Sequence, residues 1–279
     1  GGGLRIQTIH GFCQGLLAAF PVEAGLTPGF RPLDGREEAG LAREALAGML
    51  AEAEREGRVA PVEQIGRLSL RLGEGGAEQF LAACARSLGA LEALPTGIRP
   101  WLRRALDLPQ GDVAEALAEG CAALDEESIR ELGLMNREWA TKGGLARAEA
   151  VAGWLARDPA GRAATLADLH LVWAKADGDI RSFAKGQAPQ HPDYADIATD
   201  LHGVCADLLS MVARASYADL LADGLEVGRD YARAYAAAKR HGGAVDFDDL
   251  IRTAVALLDQ PEIGEWVRFK LDRETEHVL

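Results

Sequence analysis

The residues best placed for chemistry are Thr8 and His10, in the run Gln7-Thr8-Ile9-His10-Gly11-Phe12. Leu4 to Gln7 alternate apolar and polar residues, as a short strand does. Ile9, Phe12, Cys13, Leu16, Leu17 and Phe20 then fall at i, i+3, i+4, i+7, i+8 and i+11, one apolar face of an α-helix. A helix start leaves backbone N–H groups unpaired and points the positive end of the helix dipole outward. A hydroxyl, a ring N–H and free amides therefore converge where an anion such as a phosphate can be received. The structural alternative is that Thr8 only caps the helix and His10 pairs with nearby backbone.

Arg229, Arg233 and Arg240 fall at i, i+4 and i+11, with Tyr231 and Tyr235 on a neighbouring helix face. Interleaved cations and aromatics suit single-stranded nucleic acid. The alternative is a solvated face balanced by Glu226 and Asp230. Arg99, Trp101, Arg103 and Arg104 form a second basic cluster, and Arg181 with Lys185 a third. Asp246, Asp248 and Asp249 lack the spacing of a calcium loop, and Asp is a natural helix cap. His170, His191, His202 and His241 share no zinc-ligand spacing. The four cysteines, Cys13, Cys84, Cys121 and Cys205, lie far apart in apolar stretches without a CxxC, which reads as buried, reduced thiols in a cytoplasmic protein. No catalytic constellation and no metal site are expected.

These residues must be positioned by helices. The chain has 279 residues, enough for one large or two modest domains, and only 6% are aromatic. Ala, Leu, Gly, Arg and Glu dominate, the composition of a mainly α protein. Asp34 stands three residues before Glu37, close to a capping box, so a helix is predicted from about Arg36 to Glu56. Further helices are predicted over 62–72, 77–94, 98–108 and 112–124, with Asp112 as an N-cap. The polar stretch 126–142 is less regular. Helices over 145–157 and 165–174 follow, the latter opened by Thr165 and Asp168. A loop or short hairpin spans 177–187. A long helix is predicted from His191 to about Asp223, broken at Gly224, then another over 225–241. Asp246 caps an amphipathic helix whose apolar template includes Phe247, Leu250, Ile251, Ala254, Val255 and Leu258, and Pro261 restarts a short helix through Leu271.

No run of 18 apolar residues is present, so no membrane partner is expected. The net charge of −13 argues against a surface that grips nucleic acid everywhere. A DNA contact must be local, within about one Debye length of ~8 Å.

Two stretches carry a family resemblance. Leu4 to Cys13 resembles the strand-then-TxH motif of UvrD-like superfamily 1 DNA helicases, and Val245-Asp246-Phe247-Asp248-Asp249-Leu250-Ile251 resembles the segment these carry before their Walker B strand. The ending, Phe269 to Asp272 and then His277-Val278-Leu279, looks like the approach to that strand. Within the family the likeness is to the helicase–nuclease subunits of bacterial double-strand-break repair, extending through Phe20-Pro21-Val22-Glu23-Ala24-Gly25. The motifs cover roughly a quarter of the chain, and the middle matches only by position.

The resemblance implies a multi-helix accessory domain over 26–241, inserted into a RecA-like α/β motor domain represented by 1–25 and 242–279. It implies that Thr8 and His10 touch the backbone of single-stranded DNA; the spacing of Arg229, Arg233 and Arg240 offers these as further contacts. The parent enzyme would use ATP and Mg and pair with a second helicase–nuclease subunit. No GxxxxGK[ST] loop occurs here, and the expected chain is an excised piece that neither binds a cofactor nor catalyses. A different class remains open: an acidic helical adaptor that binds protein. The insertion reading requires the two ends of the chain to lie together.

Overall fold

The structure is a computed structural model and describes residues 8–261 and 263–274, the last four as backbone only. The expected strands at 4–7 and 277–279 lie outside the described residues. What is described is mainly helical, in the order α1 (Ile9–Ala19), β1 (Arg31–Pro32), α2 (Gly35–Arg55), α3 (Ala60–Leu72), α4 (Glu74–Arg86), α5 (Leu88–Glu92), α6 (Ile98–Ala105), α7 (Val113–Ala122), α8 (Glu126–Glu138), α9 (Lys142–Leu155), α10 (Pro159–Ala164), α11 (Leu166–His170), α12 (Tyr194–His241), β2 (Ala244–Val245), α13 (Phe247–Leu258) and α14 (Ile263–Glu274). No described helix is long and apolar enough to cross a membrane.

Caps fix many of the starts. Thr8 Oγ1 accepts from the Gly11 amide at 3.2 Å. Asp34 and Glu37 form the full capping box of α2, and Asp246 and Asp249 that of α13. Asp112, Asp125, Thr141 and Asp158 accept first-turn amides of α7, α8, α9 and α10. Each such cap satisfies an otherwise orphan donor and contributes about 1 kcal/mol.

Several boundaries differ from expectation. The helix predicted over 77–94 breaks at Ser87 into α4 and α5. Thr165 forms no cap; its hydroxyl donates backward to the Gly161 carbonyl at 2.6 Å, ending α10. Most informative is Gly224, which does not break the chain: α12 runs 48 residues through it. A mid-helix glycine costs about 1 kcal/mol, and here it admits a neighbour. A Cβ at Gly224 would meet Phe80 Cζ at 3.1 Å, and one at Gly228 would meet Cys84 Sγ at 2.5 Å. The two glycines, one turn apart, let α4 press against α12.

The chain divides into two compact units, one of residues up to Pro95 together with those from Asp223 on, the other Thr96–Ala222. The division falls inside the stretch expected as a single insertion: 26–95 and 223–241 pack with the chain ends, and 96–222 forms its own body.

In the first unit, Cys13, Leu16, Leu17 and Phe20 of α1 pack with Val245, Leu250, Ala254 and Leu257 and with Val267 of α14. The two ends of the described chain are thus together. The parallel pair β1–β2 joins them, through Arg31 N to Gly243 O at 3.0 Å and Leu33 N to Val245 O at 2.8 Å. Pro32 between them has no N–H to give, which suits an edge position. A second cluster sets Phe80, Cys84 and Leu91 against Leu225 and Ala232.

In the second unit, Ile129, Leu132, Trp154, Leu166, Leu169, Trp173, Tyr194 and Cys205 build one continuous core. Some of its polar atoms find partners close by, while Trp173 Nε1 and Asn136 Oδ1 have none among the described residues. Trp154 Nε1 donates to Arg162 O at 2.9 Å, and Asn136 Nδ2 donates to Leu132 O at 2.9 Å and Tyr194 Oη at 3.1 Å.

Candidate nucleic-acid contact site

The starts of α1 and α13 stand side by side. The His10 ring meets the Phe247 ring edge-on, with centroids 5.0 Å apart and planes at 77°. Thr8 and Ile9 are exposed and His10 is half-buried. Thr8 spends its hydroxyl on the Gly11 amide, which leaves the Ile9 and His10 amides without an intrahelical acceptor. Capping by Thr8 is compatible with an anion-receiving role, because the cap takes only one of the first-turn donors. Phe247, counted in sequence on the buried template of α13, is 46% exposed. Ile251 and Val255 follow it one turn apart and are exposed too, while Leu250, Ala254 and Leu257 make the buried face.

Behind this turn lies an ionic network invisible to motif reading. Lys239, with its side chain 8% exposed, places Nζ 2.6 Å from Asp246 Oδ2 and 2.6 Å from Asp249 Oδ2. The same ammonium sits 4.7 Å above the Tyr235 ring. Arg252 pairs with the other oxygen of Asp249, and Arg86 lies 3.9 Å from Asp248. The three acids of Asp246-Phe247-Asp248-Asp249 thus all have cations, which removes the local negative field that would repel a phosphate beside α1. It also spends these acids on protein cations. Glu38 of α2 lies near the same acids; burial first, then the charges of Asp246 and Asp248, holds its carboxyl above the usual range.

The arginine face of α12 is used differently from expectation. Arg229 donates to the Leu94 and Pro95 carbonyls at 3.4 and 3.3 Å. Arg233 makes a bidentate pair with Glu92 at 2.6 and 2.7 Å, holding that carboxyl below its usual range. Arg240 is exposed. Tyr231 and Tyr235 are each 4% exposed and stack on one another at 6.2 Å, so they are core residues and offer no platform for bases. The argument from interleaved cations and aromatics therefore fails for this face. Helical spacing placed the tyrosines correctly, but packing against the rest of the first unit turned them inward.

In the second unit Arg99 and Arg103 both pair with Asp219, at 3.1 and 3.0 Å, and Trp101 is 38% exposed. Arg181 donates to Leu171 O at 3.1 Å. A cavity of about 490 Å³ in that unit is lined by Leu108, Leu208 and Met211 with Asp107, Asp207 and Arg214, and by none of the residues selected from sequence. All four cysteines are buried, and burial pushes the Cys84 and Cys205 thiols up to about 11 and about 12, which makes them inert at neutral pH.

No protein-family model matches this chain, and no curated protein is significantly similar to it.

Proposed function

We propose that this chain is the DNA-guiding part of a UvrD-like superfamily 1 helicase of the AddA kind, acting in bacterial double-strand-break repair in the cytoplasm. In this reading residues around α1 and α13 come from a RecA-like motor domain, and the helical remainder is its accessory insertion. The chain contacts DNA and does no chemistry: ATP, Mg and the second helicase–nuclease subunit belong to the parent enzyme. The observation that carries the reading is the contact of His10 with Phe247. It brings together the two sequence segments that resemble the family, although His10 and Phe247 are 237 positions apart.

The contact surface is then Thr8, His10 and Phe247. The α1 amides and His10 take a backbone phosphate, and the exposed Phe247 ring takes a base, a stacking contact of about 1–3 kcal/mol. Arg240 remains free to add a phosphate contact, whereas Arg229 and Arg233 would have to leave their present partners.

Fluorescence anisotropy with a labelled single-stranded oligonucleotide tests this. Binding is expected near ~10⁻⁵ M in low salt and to fall steeply as salt rises. His10→Ala combined with Phe247→Ala should weaken it about tenfold or more. Binding that ignores both substitutions, no binding at all, or tight salt-resistant binding each contradicts the reading. One observation favours the alternative, a protein-binding adaptor: the exposed row Phe247, Ile251, Val255 on α13 is an apolar stripe of the kind partners cover. Retained DNA binding after Ile251→Ser and Val255→Ser separates that stripe from the DNA contact.

A further inference from the structure

His170, at the end of α11, is 5% exposed, and neither ring nitrogen has a hydrogen-bond partner among the described residues. An imidazole buried in this way is tolerable only while neutral, because a buried unpaired charge costs several kcal/mol. Its nearest titratable neighbour is another histidine. The His202 ring of α12 stands edge-on to it, with centroids 4.8 Å apart and planes at 80°. The Nε2 of His202 is 2.9 Å from the Gly178 carbonyl, so its ring nitrogen donates there and ties the 174–180 hairpin to α12. That hairpin is otherwise thinly held, by Lys175 N to Asp179 O at 2.7 Å and Arg181 N to Trp173 O at 2.8 Å.

Among the described residues, no carboxylate is placed to compensate a charge on His170. On the hairpin, Lys175 and Asp179 pair with each other at 3.3 Å. Arg181 is held by Leu171 O. From α9, Arg147 lies over the Trp139 ring, while Lys142 and Glu149 are exposed. From α10, Arg162 pairs with Glu126. On α11 itself Asp168 is exposed, and on α12 the facing group is His202.

We infer that His170 and His202 form an acid-sensitive latch: protonation of His170 beside His202 releases the 174–180 hairpin from α12, and neutral pH closes it. Burial, and then the neighbouring His202, holds the pKa of His170 below the ordinary histidine value. A histidine with a depressed folded pKa binds its proton in the open state first, so the closed state gains stability as pH rises and loses it as pH falls below about 6.5. The latch is independent of any DNA contact.

Amide hydrogen exchange on the full chain, corrected for the intrinsic pH dependence, tests it. The Lys175 and Arg181 amides should lose about tenfold of their protection for each pH unit below the unfolded value, between about pH 6.5 and the folded pKa of His170. His170→Phe should abolish that loss. Equal loss in the variant, or unchanged protection in the native chain, overturns the latch. Should His170→Phe fail to fold, the NMR titration of the unaltered protein decides. A His170 ring that titrates below the other histidines, with its transition matched by the exchange of Lys175 and Arg181, supports the latch. An ordinary His170 titration overturns it.

Discussion

The two units reach stability by different means. The second, Thr96–Ala222, buries large side chains against each other: Trp154, Trp173, Ile129, Leu132 and Tyr194 are each at most 2% exposed. Its helices close through glycines: a Cβ at Gly133 would meet Val151 Cγ1 at 2.8 Å, and one at Gly144 the Asn136 carbonyl oxygen at 2.5 Å. The first unit has a core of its own, with Tyr231 and Tyr235 each 4% exposed, and adds a buried ionic joint at the start of α13. Lys239 binds Asp246 and Asp249, Gln64 spans to Asp223 and Glu226, and Arg233 clamps Glu92. It also leaves Phe247, Ile251 and Val255 of α13 in solvent. A helix apolar on both faces is ordinarily covered on both. The second unit exposes apolar side chains too, but on different helices, as Leu134 on α8 and Tyr217 on α12 do, whereas Phe247, Ile251 and Val255 form one row that something else can cover.

The largest way to break the contrast is Lys239→Met. It leaves the buried Asp246 carboxylate without its cation and Asp249 with Arg252 alone, and breaking such a buried pair costs about 3–5 kcal/mol. Amide hydrogen exchange in α13 and at the end of α12 reports the loss in that unit. If the variant exchanges like the native protein, the ionic joint is ornamental. The packing side of the contrast is sharpened within a single helix, α9. Gly144→Ala drives a methyl into a backbone oxygen and should cost about 1–3 kcal/mol. Gly153→Ala meets nothing within 4 Å and should gain up to about 1 kcal/mol from helix propensity. Urea midpoints that shift in the same direction for both would show that the second unit is not closely packed at α8–α9.

What could be read in the sequence follows the range of the interaction. Caps were legible because donor and acceptor lie within three residues: Asp34 with Glu37, Asp112, and Asp246 with Asp249 all behave as their spacing indicates. Thr8 did as well, whereas the contact of its neighbour His10 with Phe247 is long-range. Long-range packing was not legible. The period of α13 marks Phe247 and Leu250 alike as apolar, and only the position of α1 and α14 decides which is buried. Gly224 looked like a break because nothing local reveals that Phe80 needs its missing Cβ. Tyr231 and Tyr235 looked available for the same reason. Lys239 left one faint signal, a lysine in the last turn of a helix, then Gly242-Gly243 and an Asp-x-x-Asp start, which folds the ammonium back onto the cap.

The smallest test probes the same corner from its acidic side. Glu38 contributes a carboxyl near Asp246 and Asp248, and its pKa is raised by burial and then by these like charges. A raised folded pKa means that the folded state favours the proton. The associated stability is present below the unfolded value near 4.5 and is lost as pH rises through the folded pKa. At neutral pH the ionised Glu38 therefore opposes folding, and Glu38→Gln should stabilise. The side chain is partly exposed and water screens it, so the gain is at most about 0.5 kcal/mol. Thermal unfolding at about pH 7 should show the variant slightly ahead, with the difference gone by about pH 4, where both side chains are neutral. A variant that is less stable at neutral pH would mean that Glu38 serves Lys239 as a third acid, and that the corner is held by more charge than its two caps supply.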